Sequence, residues 1–112
     1  MSDCLFCKFV NKEFETKIVY ENDFVLAFND IDPQAPIHIL IIPKKHISSL
    51  NEQTNKDKLL MGELMLAVKT IAQQLNLESY RTVINTGKDA GQSVFHIHVH
   101  LMAGRPFSWP AG

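Results

Sequence analysis

The segment His96-Ile-His-Val-His-Leu-Met102 constrains this 112-residue chain more than any other. Side chains alternate across a β-strand, so an extended run over 94–102 puts His96, His98 and His100 on one face. Ile97, Val99 and Leu101 then share the other face, where a helix can cover them. Three titratable rings side by side bring no evident structural return. A solvated outer face, a metallohydrolase site and nucleophilic catalysis by imidazole are the three readings. Two histidines at i and i+2 can chelate zinc, but a catalytic zinc site needs a third ligand, often a carboxylate, and none follows at suitable spacing. Imidazole can attack phosphorus and leave as a neutral group. With an ordinary pKa of about 6.5 it is largely neutral at pH 7, and neighbouring rings discourage one another's protonation.

The rest of the chain reads as further β-runs around one long helix. Lys17–Glu21 and Phe24–Phe28 flank Asn22-Asp23, a hairpin signal. Asp30-Ile-Asp-Pro-Gln-Ala-Pro36 is a loop, because its prolines bias the preceding residues away from helix. His38–Ile42 is strongly β-prone and bracketed by Pro36 and Pro43, as in a buried central strand. Thr54 and Asp57 resemble a capping box, and Leu60, Leu64, Ala67, Val68, Ile71 and Leu75 follow at helical spacing over roughly 20 residues. Arg81–Asn85 and 94–102 supply two more strands, joined by a loop holding Gly87 and Gly91. A short helix over 3–11, capped by Ser2 or Asp3, shows Leu5, Phe6 and Phe9 on one face. The order implies a single α+β domain, residues 1–112, with a mainly antiparallel five-stranded sheet.

Eleven basic against twelve acidic residues give a formal charge of −1, which argues against nucleic-acid binding by bulk phosphate neutralisation. A small anion needs only a few local donors, so the charge balance leaves that class open. No apolar run reaches 18 residues and no secretory signal opens the chain, so no membrane partner is expected and a cytoplasmic location is the default. In a reducing compartment Cys4-Leu-Phe-Cys7 reads as a redox pair, half a zinc site or two incidental thiols. Lys44-Lys45 reads as solvated surface.

The histidine run matches the histidine-triad signature, His-φ-His-φ-His-φ-φ with φ hydrophobic, at every position. Phe28-Asn-Asp-Ile-Asp-Pro-Gln-Ala-Pro-Ile-His38, Ile42-Pro-Lys-Lys-His-Ile47, Asn85-Thr-Gly87, Gly91-Gln-Ser-Val94 and the Trp109-Pro-Ala-Gly tail resemble the Hint branch of that family, from about Cys4 to Gly112. The resemblance implies a HIT-like fold whose two protomers join into a continuous sheet as a homodimer, with the Trp109 tail near the partner's active site. It implies a nucleotide hydrolase acting at the α-phosphorus of purine nucleoside 5′-phosphoramidates and releasing nucleoside monophosphate and amine.

On that basis His98 is the nucleophile that forms a nucleotidyl-histidine, His100 contacts the phosphate, and His38 supports the site. Asn85, Ser93 and the amides around Gly91-Gln92 are the oxyanion donors. Asp30 accepts from the ribose, and Leu5, Phe6, Phe9, Phe28, Ile31 and Leu40 line the base slot. Ala90 stands where relatives often carry Gly, restricting the phosphate loop. Within the same resemblance, two histidines remain, and Cys4, Cys7, His46 and His96 make a Cys₂His₂ set suited to structural Zn²⁺, a site that some members of the branch carry and others lack. The alternatives are a dinucleoside polyphosphate hydrolase or nucleotidylyltransferase, and a nucleotide-binding regulatory module.

Overall fold

The computed structural model describes residues 3–112. Its elements run α1 (Leu5–Val10), β1 (Ile18–Glu21), β2 (Val25–Asn29), β3 (Ile37–Pro43), α2 (Lys58–Gln74), β4 (Arg81–Val83) and β5 (Val99–Ala103). The five strands form one antiparallel sheet in the order β1-β2-β3-β5-β4, so β3 and β5 lie side by side at its centre. Asn22 closes the β1–β2 hairpin, its Oδ1 accepting from the amides of Phe24 and Val25 (2.8 and 3.0 Å).

Strand alternation divides the core between two faces. Val25, Ala27, Ile39, Ile41, Val99 and Leu101 pack with Leu64, Ala67, Val68 and Ile71 of α2. Leu26, Phe28, Leu40 and Ile42 point the other way and pack under Phe6 of α1. The histidines share this second face, so α2 anchors the sheet from behind while α1 borders the polar side.

Several boundaries differ from the sequence reading. β5 begins at Val99 rather than Val94, so only His100 of the three motif histidines lies within the ladder. The β3–β5 register ends at Ile41 and Val99; continued by two residues it would set Ile97 against Pro43, which has no N–H to offer. The Ile97 amide instead donates to Ile47 O (2.8 Å), and the chain bends there while keeping its alternation of faces. With β5 shortened, β4 stops at Val83, the partner of His100, and Ile84 and Asn85 leave the sheet.

The N-cap of α1 is Cys4, not Asp3; Ser2 lies outside the described residues. Its extended backbone lets Sγ accept from the Cys7 amide (3.4 Å). The Thr54–Asp57 capping box forms, but it caps a 3₁₀ turn over Asn55–Asp57, and α2 starts only at Lys58. α2 therefore has 17 residues, and Leu75, expected on its buried face, is its half-exposed C-cap. Lys44 and Lys45 are paired rather than simply solvated: Lys44 with Glu21 and Lys45 with the buried Asp57, each at 2.7 Å.

The chain leaves β5 through Gly104, whose φ of +97° lies in the left-handed region. A Cβ there would stand 2.8 Å from Pro36 Cβ, so only glycine lets the tail cross the proline loop this closely. Gly104→Ala is expected to lower stability by about 1–3 kcal/mol through strain and contact together. Urea denaturation reads this directly, and an unchanged midpoint would show that the loop simply moves aside.

Candidate active site and metal cluster

Four hydrogen bonds fix which ring nitrogen of each buried histidine carries a proton. A neutral imidazole has one donor and one acceptor nitrogen, so occupation of one defines the other. The Gln34 amide donates to His38 Nδ1 (3.0 Å), which leaves the proton of a neutral His38 on Nε2. That Nε2–H points at His100 Nδ1 (2.9 Å), so His100 accepts there and carries its own proton on Nε2. Asp30 Oδ2 stands 3.4 Å from the same His38 Nε2.

His98 is oriented independently. Its Nδ1–H donates to the carbonyl of His96 (2.8 Å), so Nε2 keeps a lone pair. Phe6 presents a T-shaped contact 5.1 Å from the His98 ring, and His100 lies 4.9 Å away on the other side. Burial, with the neighbouring His98 and His38 adding to it, holds His100 down at about pKa 4 against the opposing pull of Asp30. His100 is therefore a neutral donor at pH 7.

These rings open onto a cavity of about 220 Å³, which His98 and His100 border with Phe6, Leu40 and Asp30. Leu5, Ile31 and Ser93 also stand on its rim, and Ile31 is fully exposed there. An apolar slot ending at paired imidazoles suits a ligand with a flat apolar part and an anionic part.

A second group lies beside the first. Cys4 Sγ is 3.4 Å and Cys7 Sγ 3.6 Å from His96 Nδ1, while His46 Nδ1 is 3.3 Å from Cys7 Sγ and 3.2 Å from His96 Nδ1. Zinc with two thiolates and two imidazoles at its usual bond lengths forms a tetrahedron with edges of about 3.3–3.8 Å, so the four atoms fit such an ion. His96 Nε2–H donates to Pro43 O (2.7 Å), which aims the Nδ1 lone pair at the cluster, an orientation typical of metal-bound histidine. Burial above all holds His96 near pKa 4, so it presents this lone pair at pH 7.

Asp30, His38 and His100 also lie close enough together to suggest a metal site. The Gln34 amide argues otherwise, because it makes His38 Nε2, the atom facing that group, a proton donor. This trio relays hydrogen bonds, and the Cys₂His₂ set is the candidate metal centre.

The family model of the HIT domain matches residues 11–107. The chain belongs to the HIT family. An uncharacterized HIT-like protein of Synechococcus elongatus is 52% identical over 111 residues, covering 98% of this chain and 97% of that protein. A 14 kDa zinc-binding protein of Zea mays is 46% identical over 114 residues, covering 99% of this chain and 89% of the relative. The crystal structure of a HIT family hydrolase from Legionella pneumophila superimposes with a TM-score of 0.93 at 45% identity, covering 98% of this chain and all of that one.

Within this HIT fold, the expected site residues divide between the cavity wall and its support. Phe9 and Phe28 stand behind Phe6 in the core, 5.0 Å apart, and do not border the cavity. Gln92 is buried with its side chain committed to Gly87 N, Ser48 O and Val94 O. The amides of Gly91 and Gln92, expected as oxyanion donors, are bonded inside their own loop to Lys88 O and Gly87 O. They shape the turn, and Gly91, at φ +103°, sits against Asn85. Ala90 lies in the Lys88–Ala90 3₁₀ turn without positive φ, so it restricts nothing that glycine would free. Val94 also borders the cavity, a role that its place at the start of a β-run does not signal. The orienting atoms, Gln34 N and the carbonyls of Pro43 and His96, are backbone groups that carry no residue-type signal.

Proposed function

We propose that this HIT-family chain is a nucleotide hydrolase acting at the α-phosphorus of purine nucleoside 5′-phosphoramidates. The observation that carries this reading is the orientation of His98, whose Nδ1–H is bound to the His96 carbonyl and whose Nε2 stays unprotonated beside the cavity. His98 Nε2 attacks the α-phosphorus, forming an N–P bond while the P–N bond to the amine breaks, the amine nitrogen leaving with a proton taken from solvent water. As the ring becomes cationic, the Nδ1–H···O=C bond strengthens and stabilises it. His100, a donor at Nε2, binds a nonbridging phosphoryl oxygen as charge accumulates there. Water then attacks the nucleotidyl-histidine, releasing the nucleoside monophosphate and restoring His98.

Asp30 accepts from the ribose hydroxyls, and Leu5, Phe6, Ile31 and Leu40 grip the base. A zinc ion held by Cys4, Cys7, His46 and His96 supplies a structural tether only. The zinc-binding name of the maize relative supports that reading, and the hydrolase name of the Legionella protein supports hydrolysis. Two protomers pair through an edge strand of the sheet, β1 or β4, into one continuous sheet as a homodimer. Among the described residues no helix is long and apolar enough to cross a membrane.

The test is turnover of adenosine and guanosine 5′-phosphoramidates beside dinucleoside polyphosphates, read as monophosphate and amine released. Rapid quenching is expected to trap a nucleotidylated chain carrying its adduct on His98. Preferential cleavage of the dinucleoside polyphosphates would move the protein to the other catalytic class.

A further inference from the structure

Arg105 stands exposed just beyond β5 and does not line the cavity, yet it grips the loop that sets the His38 ring. Its Nε and Nη2 both donate to the Gln34 carbonyl (3.2 and 3.1 Å). Its Nη1 donates to Pro106 O (3.0 Å), and its guanidinium lies 4.3 Å from the Phe107 ring centroid. The arginine is thereby fixed from two further directions, so its fork is already ordered when it meets Gln34.

Gln34 is held at both of its backbone polar atoms. The carbonyl takes Arg105, and the amide donates to His38 Nδ1 (3.0 Å). Its side chain adds a bond to Asp32 O (3.0 Å), and Asp32 N returns to Asp30 Oδ1 (2.8 Å). Gly104 brings the tail against Pro36 of the same loop, so contact between the two segments is built into the backbone. Apart from Pro33, Gln34 has no covalent reason to place its N–H over an imidazole nitrogen. Beside the bond from its own side chain to Asp32 O, the forked arginine holds Gln34 from outside the loop.

We propose that Arg105 is a positioning residue: by pinning the Gln34 carbonyl it keeps the Gln34 amide on His38 Nδ1, and so selects the His38 tautomer that makes His100 a donor at Nε2. Without Arg105 the loop relaxes and His38 exchanges between tautomers. With the proton on Nδ1, His38 Nε2 accepts from His100 Nδ1–H, and His100 then turns an acceptor toward the phosphate. The consequence for rate rests on the proposed reaction; the ring state does not.

The experiment is long-range ¹H–¹⁵N correlation of the histidine rings in the full-length chain, with metal content matched, for wild type, Arg105→Ala, Arg105→Lys and Arg81→Ala. Arg81 is the control, because it also faces Phe107 (5.1 Å) and ties the tail at Ser108 O (2.9 Å) without touching Gln34. Wild type and Arg81→Ala are expected to show His38 protonated at Nε2 and bare at Nδ1. In Arg105→Ala both nitrogens shift toward averaged values, and Arg105→Lys, with one donor left for the carbonyl, falls between. With phosphoramidate, Arg105→Ala is expected to lower kcat about tenfold and keep KM within about twofold, as misplacement rather than lost binding requires. A wild-type His38 signature in Arg105→Ala overturns the proposal, as does an equal change in Arg81→Ala, which would make tail docking the cause. A shifted signature with unchanged kcat overturns its catalytic part. A shifted signature in a protein whose wild type cleaves no phosphoramidate upholds the positioning role and removes the proposed reaction instead.

Discussion

Replacing His98 by alanine is expected to lower phosphoramidate turnover by at least about 10³-fold, with the chain still folded. The size follows from what is lost. On the proposed reading Asp30, His100 and the apolar slot still bind and orient the nucleotide, but no other unprotonated imidazole nitrogen beside the cavity, among the described residues, has its partner nitrogen fixed on a carbonyl. His100 does not substitute, since its Nδ1 already accepts from His38. Truncating a ring only 5% exposed costs stability too, through the space left under Phe6. That loss is a few kcal/mol at most and is read separately by circular dichroism, so it does not masquerade as the rate effect. His98→Asn, which fills more of the space and provides no comparable nucleophile, is expected to be equally inactive. Wild-type turnover in either folded variant would end the nucleotidyl-histidine reading.

How much of this was legible in the chain depends on whether side chains or backbone atoms carry each feature. Alternation sorts Ile97, Val99 and Leu101 from the histidines correctly even though the ladder starts only at Val99, because facing is decided by burial. Where the strand stops depends on its neighbour: continuing the β3–β5 register past Ile41 and Val99 would set Pro43 against Ile97, an alignment that needs the fold to be seen. Cys4 as an N-cap was hidden for a related reason. Sulfur is a poor acceptor and an uncommon cap, and it serves here because the cluster already holds Cys4 in place. Phe9 and Phe28 illustrate the limit of reading a slot from composition. Aromatic residues near a site satisfy a wall and a core equally well, and only the position of Phe6 between them and the cavity separates the two roles.

The histidine tautomers are hidden more deeply still. They are set by Gln34 N, Pro43 O and His96 O, backbone atoms of a kind that almost any residue supplies. Sequence spacing therefore places the five rings but leaves open which nitrogen of each is available.

Removing the zinc proposed for the Cys₂His₂ cluster is the second large effect expected, and it acts on stability first. Protein purified without added zinc is expected to hold one equivalent per chain, and chelation or Cys7→Ser to lower the thermal midpoint by roughly 15 °C. The estimate comes from linkage: at about 1,000 times its Kd, a bound ion adds roughly 4 kcal/mol, and each kcal/mol moves a domain of this size by about 4 °C. Affinity is expected to rise with pH. Burial pushes the Cys4 thiol above its usual range, so binding must displace its proton, whereas His96, held near pKa 4, has none to lose at pH 7. Losses should begin at α1, which has only six residues and takes its N-cap from Cys4. Phe6 leans on both His96 and His98 (5.9 and 5.1 Å), so a loosened α1 frees the wall of the cavity before the sheet gives way. Hydrogen exchange in the chelated protein is expected to show early loss of protection over Leu5–Val10 with β3 and β5 still protected. A midpoint indifferent to chelator, in protein that carries no stoichiometric zinc, would reduce the four residues to a hydrogen-bonded cluster.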